Sequence, residues 1–146
     1  ADFREAYKGK MLSNTRLYSN VLETLERLRQ ADLQLCICTN KAIEMTLPIT
    51  EHFGLQLPMD YIIGGDSLEE RKPSAMPLLY LMEQTGAAPE TTLMVGDSVT
   101  DCKAAENAGC DMALVSYGYR RHEIEDLTFT YLCDNFSDLV DHLGLE

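Results

Sequence analysis

Short apolar runs alternate with amphipathic helical patterns along most of the chain. The apolar runs lie at 33–38, 61–65, 92–95 and 112–118, with a weaker one at 128–134. Helical patterns separate most of these runs, and a final one lies at 136–144. Strands that alternate with helices of this size form parallel β–α–β units with helices on both faces of the sheet. The sequence therefore predicts a three-layer, Rossmann-like α/β fold.

The helical patterns carry signals for where each helix begins and ends. Asn20 and Glu23 have the spacing of a capping box, and Ser74 precedes the third helical pattern as a predicted N-cap. The first helix is expected to bury one apolar face, made of Val21, Leu22, Leu25 and Leu28.

Charge and hydropathy exclude several classes of partner. The 146 residues hold 24 acidic and 12 basic side chains, a net charge of −12. Such a surface repels nucleic acids and anionic membranes, so neither is expected as a partner. No apolar run approaches the length of about 18 residues that spans a bilayer, and residues 1–10 lack the apolar core of a secretory signal. The chain starts at Ala1 rather than Met, so we expect a fragment or a processed product.

Five cysteines occur, an odd number, and most lie in apolar segments. Cys36 and Cys38 would point to opposite faces of a strand, which excludes a bridge between them. We therefore predict reduced thiols and a cytoplasmic protein.

Polar residues follow the predicted strands where each strand ends. Thr39-Asn40 follows the first strand, Gly64-Gly65-Asp66 closes the second, and Gly96-Asp97 follows the third, while Lys72 stands just before Pro73. In open parallel α/β sheets, ligands bind at the carboxyl ends of the strands. A hydroxyl, an amide, a lysine and carboxylates at one edge suit a phosphate group and a hard cation such as Mg²⁺.

Asp101 follows Asp97 by four residues, and the pair has two explanations. A cation between the carboxylates would offset their repulsion. Alternatively, Ser98 and Asp101 have the S-x-x-D spacing of a helix N-cap box, which gives Asp101 a structural purpose. Similarly, Thr39 and Lys72 taken singly are typical of turns.

Three segments together resemble the later motifs of the haloacid-dehalogenase-like phosphatases. They are "ICTNK", "IIGGDSLEERKPSAMPLL" and "MVGDSVTDCKAAENAGC", and "VSYGY" resembles the phosphoglycolate phosphatase branch. The resemblance implies Thr39 and Lys72 as catalytic residues that bind phosphate together with Asn40. It implies Asp97 as a Mg²⁺ ligand and Asp101 as a further ligand or a support for one. It also implies hydrolysis of a phosphomonoester through a phospho-aspartate intermediate. Among substrates, the resemblance favours 2-phosphoglycolate.

The sequence departs from the family at the nucleophile. The family places it in a D-x-D-G-T-type motif on an N-terminal strand, and no such motif occurs here. We interpret residues 1–16 as the tail of the helical cap domain and 17–146 as a partial core that lacks the first central strand. The sheet should then be interrupted beside Leu93–Val95, and the chain should be inactive alone, with self-association or an N-terminal segment filling the interruption.

Other functions remain open from the sequence. A sugar-phosphate phosphatase or phosphomutase of the same superfamily is the nearest alternative, and a non-catalytic binding module is another. A phosphoacceptor receiver domain also combines carboxylates, Thr and Lys on a parallel sheet. However, a receiver carries its acidic pair on the first strand, whereas Asp97 and Asp101 come last here.

Overall fold

The computed structural model describes residues 20–117 and 123–145. In that part of the chain, strands and α-helices follow one another in the predicted order. The elements are α1 (Val21–Gln30), β1 (Cys36–Cys38), α2 (Ile43–His52), β2 (Tyr61–Ile63), α3 (Met76–Thr85), β3 (Leu93–Gly96), α4 (Val99–Ala108), β4 (Asp111–Val115), β5 (Tyr131–Cys133) and α5 (Asp138–His142). Short 3-10 helices lie at Pro89–Thr91 and Ile124–Asp126.

All strand pairs among the described residues are parallel, and they fall into two sheets. One sheet pairs β1 with β2, and the other has the order β3-β4-β5. Cys36 lies opposite Tyr61 in the first sheet, and Leu93 lies opposite Asp111 in the second. The predicted parallel α/β fold is therefore confirmed. The interruption expected beside Leu93–Val95 is also present in this part of the chain, because β1 and β3 belong to different sheets.

Side chains alternate between the two faces of the larger sheet, and each face is covered by helices. Met112 and Leu114 of β4 belong to one apolar cluster with residues of α3 and α4. Ala113 and Val115 belong to a second cluster with Leu139 of α5. This period of two is what a strand buried on both sides requires. Helix α1 extends the second layer by packing against α5.

The start of α1 differs from the prediction. Asn20 has a left-handed backbone (φ 67°) and makes no side-chain cap; its amide donates instead to Asn135 Oδ1 at 3.3 Å. The capping box with Glu23 is therefore wrong, because a side-chain cap needs extended backbone at that position. Leu22 is 46% exposed, so it also does not belong to the buried face. The buried residues of α1 are Thr24, Leu25 and Leu28.

Two other boundaries differ from the sequence pattern. Helix α3 begins after Ala75, so Ser74 is not the N-cap; its hydroxyl accepts from the Met76 N–H at 3.1 Å within the preceding turn. Strand β1 is shorter than the apolar run at 33–38 because the Leu35 N–H donates to the Asp60 carboxylate at 2.8 Å. A side-chain acceptor thus takes a backbone donor that a longer strand would use.

The predicted cap-domain tail, residues 1–16, lies outside the described residues. Within 20–117 and 123–145, no helix has the length and hydropathy needed to cross a membrane. All five cysteines are free thiols, and the predicted absence of a bridge between Cys36 and Cys38 is confirmed.

Candidate active site

Lys72 lies at the centre of the polar edge, and its side chain is only 8% exposed. The ammonium donates to the Cys38 carbonyl oxygen at 2.9 Å and to Asp101 Oδ1 at 2.6 Å. Cys38 ends β1 and Asp101 lies in the first turn of α4, so the ammonium joins the two sheets. A buried ammonium requires such partners, because desolvation without them carries a large free-energy penalty.

The Asp101 carboxylate also has several hydrogen-bond partners. Its second carboxylate oxygen, Oδ2, accepts from the Asp97 N–H and from the Ser98 hydroxyl, both at 3.1 Å. The Ser98 hydroxyl in turn accepts from the Asp101 N–H at 3.3 Å. The side-chain cap predicted for α4 is therefore confirmed, and Asp101 is 7% exposed.

Gly96 makes room for this carboxylate. A Cβ atom at that position would overlap the side chain of Asp101, including its Oδ2 and Cγ atoms. The glycine therefore serves close approach, since it lets the Asp101 carboxylate lie against the end of β3. The sequence shows a glycine between strand and carboxylate, and the contact with Asp101 explains it.

Thr39 and Asn40 directly follow the carbonyl that binds Lys72. The Thr39 hydroxyl oxygen accepts from the Lys41 N–H at 3.1 Å, an arrangement that leaves its O–H proton for another acceptor. The Asn40 amide donates to the Lys72 carbonyl oxygen at 2.8 Å. Asn40 Oδ1 is buried and has no hydrogen-bond partner among the described residues. The Asn40 side chain thus positions Lys72, which the sequence did not indicate.

The loop after β2 supports the loop after β1. A Cβ atom on Gly64 would lie 2.6 Å from the Ile43 nitrogen, and one on Gly65 would overlap the carbonyl of Asn40. Asp66 Oδ1 accepts from the Ile43 N–H at 2.9 Å and so caps α2 from a neighbouring loop. The segment Gly64-Gly65-Asp66 that closes β2 therefore also fixes the backbone at Asn40.

The thiol of Cys38 does not add charge to the site. Burial raises the pKa of this thiol, and the nearby Lys72 ammonium opposes the rise. The residue thus contributes its backbone carbonyl as an acceptor for Lys72.

Asp97 leaves the end of β3 directly and is partly buried. The backbone N–H of Asp97 donates to the Asp101 carboxylate, and this hydrogen bond links the two acidic residues. Residues 20–117 and 123–145 contain no group of three or more His, Cys, Asp or Glu side chains able to hold a metal ion. Mg²⁺ typically binds proteins through one or two carboxylates together with substrate phosphate. Asp97 supplies a carboxylate at the end of β3, and the oxygens of Asp101 accept from the Lys72 ammonium, the Asp97 N–H and the Ser98 hydroxyl.

The predicted residues are therefore brought together at the carboxyl ends of β1 and β3. Hydrogen bonds connect the Asn40 amide with the Lys72 carbonyl, the Lys72 ammonium with the Asp101 carboxylate, and that carboxylate with the Asp97 N–H. The edge offers a buried cation, a hydroxyl proton and a carboxylate. Such groups can bind an anion and a divalent cation side by side.

Comparison with known proteins gives consistent matches. A family model described as haloacid dehalogenase-like hydrolase matches residues 1–115. A phosphoglycolate phosphatase from Chromobacterium violaceum is 40% identical over 117 residues, which cover 80% of this chain and 53% of that protein. One from Psychrobacter arcticus is 38% identical over 142 residues, which cover 97% of this chain and 62% of that protein. The chain thus spans less than two thirds of the length of these relatives.

Solved structures share the fold. A predicted phosphoglycolate phosphatase from Haemophilus somnus superimposes with a TM-score of 0.90 at 37% identity, over 95% of this chain and 63% of that one. A phosphatase from Thermococcus onnurineus gives a TM-score of 0.86 at 26% identity, over 98% of this chain and 65% of that one.

Proposed function

The chain belongs to the haloacid dehalogenase-like hydrolase family, and on that premise we propose that it is the phosphate-binding part of a phosphomonoesterase. The enzyme would be cytoplasmic, would depend on Mg²⁺ and would hydrolyse a small phosphorylated metabolite, 2-phosphoglycolate. The observation that carries the proposal is the buried ammonium of Lys72 at the carboxyl ends of β1 and β3. The curated relatives from Chromobacterium violaceum and Psychrobacter arcticus, both phosphoglycolate phosphatases, support the substrate.

Each residue of the site has a part in this proposal. Lys72 has three N–H donors, and the described residues provide two acceptors for them, so one donor remains for a phosphoryl oxygen. The Thr39 hydroxyl would donate to a second phosphoryl oxygen. Because both groups are fixed before substrate binds, they stabilise charge on the phosphoryl group without reorganisation.

Asp97 would hold the Mg²⁺ ion, with substrate oxygens and water completing its coordination. When bound, the ion would neutralise part of the phosphoryl charge. Asp101 would keep the Lys72 ammonium in place. The nucleophilic aspartate that the family uses would come from outside these 146 residues, since they contain no D-x-D-G-T motif.

A hybrid enzyme tests the proposal. The N-terminal part of the Psychrobacter arcticus relative that this chain does not match would be joined to residues 1–146. We expect Mg²⁺-dependent release of phosphate from 2-phosphoglycolate, and loss of that activity in Lys72→Ala but not in the exposed control Lys103→Ala. A correctly folded hybrid, checked by circular dichroism, that releases no phosphate would contradict the proposal. Faster turnover of β-glucose 1-phosphate would favour the sugar-phosphate alternative.

The metal ligand is tested in the same hybrid. Asp97→Asn should abolish Mg²⁺-dependent turnover at all metal concentrations, because it removes a ligand. Asp101→Asn should weaken turnover without abolishing it, because the Asp101 oxygens bind Lys72, Asp97 and Ser98. Equal small effects of both substitutions would show that neither residue is a ligand.

A further inference from the structure

Two side-chain amides from different elements hold the backbone of Lys72 and Pro73. Asn40, in the loop after β1, donates to the Lys72 carbonyl oxygen at 2.8 Å. Asn107, in the last turn of α4, donates to the Pro73 carbonyl oxygen at 2.9 Å. Two successive carbonyl groups are therefore tied to different sheets, one through the end of β1 and the other through the helix after β3.

The lysine side chain is held in the same divided way. Its ammonium binds the Cys38 carbonyl at the end of β1 and the Asp101 carboxylate at the start of α4. Helix α4 thus contacts this segment twice, through Asp101 near its start and Asn107 near its end. A displacement of the backbone at residues 72–73 would have to stretch at least one of these bonds.

Helix stability does not account for an asparagine at position 107. The residue is exposed, and asparagine is a poorer helix former than alanine. Its amide is used to reach a carbonyl in another segment, 34 positions away along the chain. The hydrogen bond with the Pro73 carbonyl therefore explains the asparagine at this position, whereas helix propensity does not.

We infer that Asn107 is a positioning residue of the phosphate site, which fixes the Pro73 carbonyl and thereby sets where the Lys72 ammonium stands. This inference rests on the proposed function for its consequence in phosphate binding, but the placement of Lys72 can be measured separately. Asn107 acts through Lys72 and does not itself touch the bound anion.

The test uses the 146-residue chain with nitrogen-15-labelled lysine. The probe is the NMR signal of the Lys72 ammonium, whose hydrogen bonds with Cys38 and Asp101 slow its proton exchange. Asn107→Ala should shift this signal and speed its exchange. It should also weaken binding of inorganic phosphate by about three- to tenfold, the effect of losing one ordinary hydrogen bond. Because alanine favours the helix, global stability should change little.

Gln34 provides a matched control. Its amide donates to the Thr85 carbonyl at 2.9 Å in an exposed position, as Asn107 does to Pro73. Gln34→Ala should leave the Lys72 signal and phosphate affinity as in the unmodified chain, and Asn107→Gln, which keeps the amide, should recover part of both. A Lys72 signal that is unchanged by Asn107→Ala overturns the inference. If instead the signal responds to Asn107→Ala but phosphate has no effect on the unmodified chain, the positioning role stands and the proposed function fails.

Discussion

The charge on Lys72 dominates the energetics of the site. Lys72 and Asp101 are both nearly buried, with side-chain exposures of 8% and 10%. Removing two such charges from water costs several kcal/mol for each ion, and their attraction repays this only where further hydrogen bonds complete the arrangement. The Cys38 carbonyl, the Asp97 N–H and the Ser98 hydroxyl supply those bonds.

A double-mutant cycle at this pair should show strong coupling. Asp101→Asn leaves the ammonium without its counter-charge and should lower the free energy of unfolding by about 3–5 kcal/mol. Lys72→Met should have a smaller effect, because Asp101 keeps two other donors. The double variant should be less destabilised than the sum of the two, as measured by urea unfolding. Additive effects would contradict the coupling.

The exposed ion pair of Arg29 and Asp60 serves as the control for that cycle. Its atoms are 2.8 Å apart, but the side chains are 42% and 27% exposed. Arg29→Met should therefore change the free energy of unfolding by less than about 1 kcal/mol.

Cys133 should make stability depend on pH in the alkaline range. Burial, together with Asp138 and Asp134, raises the pKa of this thiol from 9.0 to about 11 in the folded chain. The neutral thiol therefore favours the folded state. This contribution is fully present below pH 9 and is lost as the pH rises through about 11. The reason is that the Cys133 thiol ionises at a lower pH in the unfolded chain than in the folded chain. The difference in pKa corresponds to about 2–3 kcal/mol.

The measurement compares unfolding free energies of the unmodified chain and Cys133→Ala between pH 8 and 11. The variant should be less stable at pH 8, because it leaves a small cavity. The stability of the variant should fall less steeply above pH 9, because it has no thiol at position 133 to ionise. Parallel curves would exclude the raised pKa.

At the scale of elements, the start of α4 carries most of the site. The helix begins directly after the end of β3, and its first turn supplies both the cap and the acceptor for Lys72. Ser98 therefore links the stability of the helix with the geometry of the site.

Ser98→Ala should lower the free energy of unfolding by about 1 kcal/mol, the usual effect of losing an N-cap. The matched control is Ser137→Ala, because Ser137 precedes α5 without making a side-chain cap. Chemical unfolding of both variants gives the comparison. An equal loss in the two variants would mean that the Ser98 cap contributes nothing specific.

Helices and strands could be predicted from the sequence wherever the signal is local. The apolar period located the helices, and the sequence offered Ser98 as a cap because its partner Asp101 lies three residues away. The capping box predicted for Asn20 was wrong because the Asn20 side chain binds Asn135, which lies far away along the chain. Sequence spacing does not reveal such a contact. The cap that Asp66 provides to α2 was missed for the same reason.

The same distinction applies to the site. The strand-end rule brought Thr39, Lys72 and Asp97 to one edge, because it depends only on parallel strands. The contacts that hold Lys72, namely the Cys38 carbonyl and the amides of Asn40 and Asn107, come from backbone atoms and long-range packing. No pattern of residue types encodes them.

At the scale of the whole molecule, the two sheets are joined by side chains in the part of the chain described. Lys72 connects the end of β1 with α4, and α3 contacts both β1 and α4. Cys38 packs against the cluster of the larger sheet. A strand edge without a neighbouring strand presents backbone N–H and C=O groups that need other hydrogen-bond partners. Each such group that is buried without a partner lowers stability by about 1–3 kcal/mol. We therefore expect the chain to self-associate or to pair with an N-terminal segment.

The chain alone should not hydrolyse p-nitrophenyl phosphate, because it lacks the nucleophile motif. Binding groups without a covalent nucleophile leave only a weak residual rate. The hybrid enzyme described above should restore turnover under the same conditions. Mg²⁺-dependent turnover by the chain alone that disappears in Lys72→Ala would refute the prediction.

The pairing order of the larger sheet also has a kinetic consequence. Strand β4 lies between the strands that precede and follow it in the chain, and Leu93 pairs with Asp111 at the same spacing as Ala113 with Tyr131. Closing two loops of equal, modest length carries a low entropic barrier. We expect β3, α4, β4 and β5 to act as a cooperative unit that forms early. In native-state hydrogen exchange, the amides of β4 should be the last to exchange, and those of β1 should open well before them.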